Sequence, residues 1–205
     1  MWGKLILHLS PAVYDALQRF VHGSYSETIG SIVAGLDLRS GDRVIEIGCG
    51  TGGLSRYFSS IGCDYWGVEP DAERVAAARA ANPAAHFVQG RAEAIRESGL
   101  PEFNRAFIHG MVHHIDDGAT RAMLGQVFRT PGMRLVMIEP VLPQPVWLNP
   151  LGFALAKLDD GRFVRTAEAM EVLCHPYVRK RAMRSLMPRW PVPFLHLTLE
   201  APRAA

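Results

Sequence analysis

Cysteine is scarce in this chain, with only Cys49, Cys63 and Cys174 among 205 residues. An odd, widely spaced set supplies neither a disulfide framework nor a CxxC metal knuckle, so a reducing compartment is the simpler expectation. An excess of one charge is also missing. Lysine and arginine number 22 against 20 aspartates and glutamates, net +2, too little for a protein that holds nucleic acid electrostatically. The basic cluster Arg179, Lys180, Arg181 and Arg184 reads as a solvated face. No stretch approaches the ~20 apolar residues that span a bilayer. The run from Met1 to His8 carries one positive charge and is too short for the apolar part of a signal segment. These absences point to a cytoplasmic protein with no membrane span. Internal repeats and low-complexity tracts are absent too. With 48% hydrophobic and 20% charged residues the chain is globular rather than disordered.

What is present is an alternation. Short β-rich runs at 43–47, 65–68, 86–89, 105–109 and 134–138 are separated by helical patterns at 53–61, 71–81, 92–98 and 118–128. That order is the signature of a parallel sheet covered by helices on both faces. Asp71 can cap the second helix, and Asn82-Pro83 stops it. Residues 10–38 read as helices, opened by Ser10-Pro11 and broken near Gly23. Residues 140–165 are rich in proline and aromatics, a helix follows over 167–174, and a proline-broken end leads to a last strand near 195–199. The organisation expected is one domain: a helical cap over 1–40, a core over 41–140, and a lid-like insertion with the last strands over 141–205.

The strongest local pattern is Val44-Ile45-Glu46-Ile47-Gly48-Cys49-Gly50-Thr51-Gly52-Gly53. A buried strand runs into glycines and then a helix, so backbone can approach a ligand closely at that turn. Gly48, Gly50 and Gly53 also satisfy the dinucleotide pattern, and both readings expect an acid at the end of the next strand, where Glu69 stands. Glu46 separates them. An unpaired charge at the end of a buried strand costs several kcal/mol, so it needs a network or a ligand. A pyrophosphate site wants a free helix amino terminus instead.

Together these residues resemble the class I S-adenosylmethionine-dependent methyltransferase family. Glu46 to Gly52 matches its E/D-x-G-x-G-x-G motif, and Gly67-Val68-Glu69-Pro70 resembles its second. The likeness continues through Phe87 to Glu93, Phe107 to Asp117 and Leu135 to Pro140, about residues 40–140 in all. The resemblance implies a Rossmann-like, mostly parallel seven-stranded α/β sheet with its last strand antiparallel. It implies S-adenosylmethionine as cofactor, held by Glu46, Gly48, Cys49, Gly50, Thr51, Glu69, Pro70, Arg91, Ala92, Glu93, Gly110 and Met111. Glu69 is expected on the ribose hydroxyls, and Arg91-Ala92-Glu93 beside adenine, although Arg91 stands where the family often has aspartate. The reaction implied is methyl transfer to oxygen, nitrogen or carbon of a small organic acceptor. A nicotinamide-dependent oxidoreductase and a catalytically silent scaffold acting through a partner are the alternatives.

His109, His113 and His114 crowd the end of the fourth strand. A structural or cofactor-adjacent role, a general base at His113 or His114, and a metal site with Asp116 and Asp117 all remain open. The last is disfavoured because His109 and His113, four apart, share a face only in a helix. No metal is expected. Glu139 reads equally as a strand-end acid capping a loop or as a pocket residue. Tyr14, Tyr25, Glu139 and Trp147 are the candidate acceptor contacts, and Asp159 to Thr166 forms a polar, arginine-bearing turn before a helix.

Overall fold

The computed structural model describes residues 26–97, 99–158, 161–186 and 190–201. Among these, the strands are β1 (Arg43–Ile47), β2 (Asp64–Glu69), β3 (His86–Gln89), β4 (Arg105–His109), β5 (Arg134–Pro140), β6 (Val178–Leu186) and β7 (Trp190–Glu200). They form one sheet in the order β3-β2-β1-β4-β5-β7-β6. The first five run parallel, and β7 pairs antiparallel with both β5 and β6. The helices are α1 (Ser26–Leu36), α2 (Ser55–Ser60), α3 (Ala72–Ala81), α4 (Asp117–Val127), α5 (Pro150–Leu158) and α6 (Ala167–Cys174). No helix among the described residues is long and apolar enough to cross a membrane.

The central strands are apolar on both sides because both sides are covered. Ile45 and Ile47 of β1 enter one core with Met123 and Leu124 of α4 and Met170 and Leu173 of α6. Val44, one residue out of step, enters the other with Ile32 and Leu36 of α1, Phe58 of α2 and Val75 of α3. Three caps fix where helices begin. Asp71 accepts from the Glu73 and Arg74 amides at 2.9 Å each, Asp116 from the Ala119 amide at 2.8 Å, and Thr166 from the Ala169 amide at 3.2 Å. Each satisfies amides that a helix start leaves without partners.

Two elements depart from the sequence reading. The proline-rich stretch after β5 contains α5, with Pro150 in its first turn, where proline costs no hydrogen bond, and Asn149 accepting from the Gly152 amide at 2.8 Å. The basic cluster lies in β6, the edge strand, where Arg179, Lys180 and Arg181 are exposed. An edge strand needs no alternating apolar pattern, and its charges discourage pairing with other chains. Pro191 and Pro193 are tolerated in β7 because its pairing with β5 ends at Phe194, opposite Pro140.

The path of the chain reverses at β1, which lies between β2 and β4. In such sheets the crevice for a ligand opens at the carboxyl ends of the strands flanking that point. Here those ends are Ile47, Glu69, His109 and, one strand further, Pro140.

Candidate active site

The turn after β1 is held to β2 by its backbone. The amides of Gly48 and Cys49 both donate to the Val68 carbonyl, at 2.8 and 3.0 Å. Gly48 has φ +79°, and a Cβ there would lie 2.3 Å from Cγ of Met111. Both the left-handed backbone and the lack of space demand glycine. Cys49 is buried with its Sγ against Gly67, so it offers a ligand only its backbone. Thr51 is buried as well.

Two carboxylates sit beneath this turn with different partners. Glu46 is 4% exposed and accepts a short hydrogen bond from the Tyr65 hydroxyl. Burial pushes its carboxyl up to about 8, with the charge of Glu69 adding to the rise and the Tyr65 hydroxyl opposing it. The network that a buried acid needs is thus Tyr65. The signal for it was a tyrosine in a buried strand, whose hydroxyl also needs a partner. Glu69, at the carboxyl end of β2, accepts from the Gly50 amide at 3.1 Å through Oε2 and from the Asp71 amide at 3.2 Å through Oε1. Burial raises its carboxyl above the ordinary range, against the lowering effects of the Asp71 amide, Arg74 and the Gly50 amide. Each carboxylate oxygen has two lone pairs, so after one amide each retains capacity for the hydroxyls of a diol.

The wall after β3 is formed by Ala92, which is buried, while Arg91 is exposed and paired with Glu93. The Glu93 carbonyl accepts from the Gln126 side-chain amide, which ties this wall to α4. Pro70 is exposed beside it.

The turn after β4 carries Gly110, Met111 and the histidine pair, with a short 3-10 turn over Val112–His114. Glu139, fully buried, organises it from β5. Its Oε1 accepts from the Met111 and Val112 amides at 2.8 Å each, and its Oε2 from the His113 amide at 3.3 Å. Its Oε2 is also 2.8 Å from Nδ1 of His113. These bonds cap the turn through the amides of three successive residues. His113 is buried, whereas His114 beside it is exposed, their rings 4.1 Å apart. Among the described residues no group of three His, Cys, Asp or Glu side chains is arranged to hold a metal ion. Trp147 is 79% exposed in the short turn before α5. Tyr14 and Tyr25 lie outside the described residues.

A glycine turn, a buried acid at the end of β2, an apolar wall after β3 and a capped turn after β4 meet at one edge of the sheet. Glu69, Ala92, Gly48 and Met111 are the residues at this edge that could hold a cofactor. A family profile described as a methyltransferase domain matches residues 44–130. Over 65 residues the chain is 40% identical to a malonyl-[acyl-carrier protein] O-methyltransferase of Enterobacter lignolyticus, an alignment spanning 32% of this chain but 26% of that relative. The fold is similar to that of phosphoethanolamine N-methyltransferase 2 of Haemonchus contortus, solved with S-adenosyl-L-methionine. There the TM-score is 0.70 at 12% identity, over 99% of this chain and 60% of that one. It is also similar to magnesium protoporphyrin IX methyltransferase of Synechocystis, solved with S-adenosylhomocysteine, at TM-score 0.66 and 17% identity over 90% of this chain and 87% of that one. Motif order and strand order agree with the profile, and residues 44–130 carry a methyltransferase domain of the S-adenosylmethionine-dependent kind.

Proposed function

We propose that this chain transfers the methyl group of S-adenosylmethionine to a small organic acceptor in the cytoplasm, acting as one domain over residues 1–205. The observation that carries the reading is Glu69, buried at the end of β2 with acceptor capacity left on both oxygens and the glycine turn bonded to it. Glu46, Gly48, Cys49, Gly50 and Thr51 serve the methionine end, the first through Tyr65 and the rest through backbone. Pro70, Arg91, Ala92 and Glu93 flank the adenosine, and Gly110 and Met111 the sulfur. An oxidoreductase reading is weaker, because the acid before the glycines has no part in holding a pyrophosphate.

The cofactor supplies a methyl carbon already activated by a positive sulfur. The chain's own task is placement. Holding donor and acceptor in line is worth up to ~7–11 kcal/mol in favourable cases, and a turn pinned by Glu139 supplies a rigid wall for it. The acceptor enters above the carboxyl edge, beside the segment that includes Trp147, and Tyr14 and Tyr25, which lie outside the described residues, are further candidate contacts. Where the acceptor must lose a proton, His113, whose Nδ1 faces Glu139, or the exposed His114 is the candidate to take it. The near-neutral charge supports a small molecule over a nucleic acid as acceptor.

Calorimetry with S-adenosylhomocysteine tests the core of this reading. Glu69→Ala should weaken binding roughly 10–150-fold or more, at least the worth of one charge-assisted hydrogen bond, while the protein still folds. Wild-type protein that binds NADH tightly and S-adenosylhomocysteine not at all would overturn it. A panel of small acceptors with labelled S-adenosylmethionine then identifies the class methylated.

A further inference from the structure

The turn after β4 has a second grip, on the side opposite Glu139. After α5 the chain returns across the carboxyl edge and lies against that turn. Gly161 is buried against His113, and a Cβ there would fall 2.1 Å from Cδ2 of the imidazole and 2.8 Å from the His113 carbonyl oxygen. The Phe163 amide donates to that same carbonyl at 2.9 Å. Two residues on, the side chain of Arg165 turns into the turn.

The guanidinium is 9% exposed, although its carboxylate partner Asp117 is 59% exposed. Nη1 donates to the Val112 carbonyl at 3.1 Å and the Phe163 carbonyl at 3.0 Å. Nη2 donates to the Ile115 carbonyl at 2.9 Å and approaches Asp117 to 2.7 Å, and Nε donates to Asp117 at 2.9 Å. A guanidinium has five N–H donors in a fixed fork, and four hydrogen bonds and an ion pair engage it here. The backbone carbonyl of Arg165 in turn accepts from the Leu142 amide at 2.8 Å, anchoring the strap just beyond β5. A short helical turn leaves amides without partners at its start and carbonyls without partners at its end. Glu139 takes the amides of Met111, Val112 and His113, and Arg165 takes the carbonyls of Val112 and Ile115. Met111 opens the turn that both grips hold, its amide on Glu139, and its Cγ is so close to the glycine turn that Gly48 admits no Cβ.

We propose that Arg165 is a positioning residue for methyl transfer. It fixes the turn after β4, and Met111 with it, against the glycine turn, and so sets the wall that meets the sulfur end of the methyl donor. Lysine cannot substitute, since a single ammonium cannot reach two carbonyls and a carboxylate in one plane. The assignment rests on the cofactor reading above.

Two ligands and one ligand-free measurement separate positioning from general bracing. Adenosine needs the Glu69 and Ala92 side of the site, whereas S-adenosylhomocysteine also needs the Met111 side. In Arg165→Lys, the milder change, and in Arg165→Met, S-adenosylhomocysteine should bind roughly ten- to hundredfold more weakly, the worth of one charge-assisted hydrogen bond. Adenosine affinity should stay within about twofold. Amide exchange at Met111, Val112 and His113 should accelerate at least about tenfold, while the Gly48 and Cys49 amides bonded to Val68 keep their rates. Equal weakening of both ligands, exchange raised throughout the sheet, or no change at Met111–His113 would overturn the assignment. If wild-type protein binds neither ligand, the cofactor reading fails by itself. The exchange rates at 111–113 then still decide whether Arg165 holds the turn.

Discussion

Among single residues, Glu46 is the one whose chemistry differs most from that of a surface carboxylate. Its carboxyl titrates near 4.5 in the ordinary case and near 8 in the fold, because burial penalises the charged form. The sign follows from proton binding. Between those values the folded state holds a proton that the unfolded state has lost, so stability falls as pH rises, by up to about 1.4 kcal/mol per pH unit. The contribution of the neutral form is complete below about 4.5 and gone once pH passes through 8. Glu46→Gln keeps an oxygen to accept the Tyr65 hydroxyl but cannot ionise. Melting curves at pH 6 and pH 9 should show the wild type losing clearly more than the variant. Equal losses would mean that the Glu46 carboxyl ionises in the fold without penalty.

At the scale of elements, the site depends on turns meeting one another rather than on any single helix. The turn after β1 and the turn after β4 touch where Gly48 faces Met111. Gly48→Ala forces a side chain into a left-handed residue with φ +79° and into the Met111 side chain at once. The strain and the overlap together should cost about 1–3 kcal/mol, read by urea unfolding. Adding Met111→Ala relieves the overlap but not the backbone strain. The double variant should therefore be more stable than the sum of the two single effects by about 0.5 kcal/mol or more. Strict additivity would show that the two turns do not press on each other in solution.

For the whole molecule, the core under the site is what holds the carboxyl edge in register. Phe107 of β4 is fully buried and stacks on Phe58 of α2 with ring centroids 4.7 Å apart. It joins the central strand to the helix that follows the glycine turn. Phe107→Ala opens a cavity in this core and should cost about 3–5 kcal/mol, which for a domain of this size lowers the melting temperature roughly 6–20 °C. Calorimetric melting checks it. A loss under about 1 kcal/mol would show that the helical layer over α2 can collapse onto the gap.

The chain by itself determined the parallel core and the cofactor motifs, because those features are local. A strand buried on both faces must be a continuous apolar run, a turn with left-handed backbone must carry glycine, and an acid at a strand end stands out in an apolar context. That is why β1 and β4 are legible to the residue in the sequence, and why Glu46, Gly48 and Glu69 stand out in it. The edge strand β6 is not legible there, since solvent on its outer side imposes no pattern and its arginines read as a solvated face. Nor is α5, hidden behind prolines that the first turn of a helix tolerates. The partners of the buried acids were decided only by the tertiary structure. Tyr65 reaches Glu46 from 19 positions away and His113 reaches Glu139 from 26. Arg165 closes on Val112 across 53 positions. Sequence spacing carries no record of such contacts, because they arise from the order in which parallel strands are laid side by side.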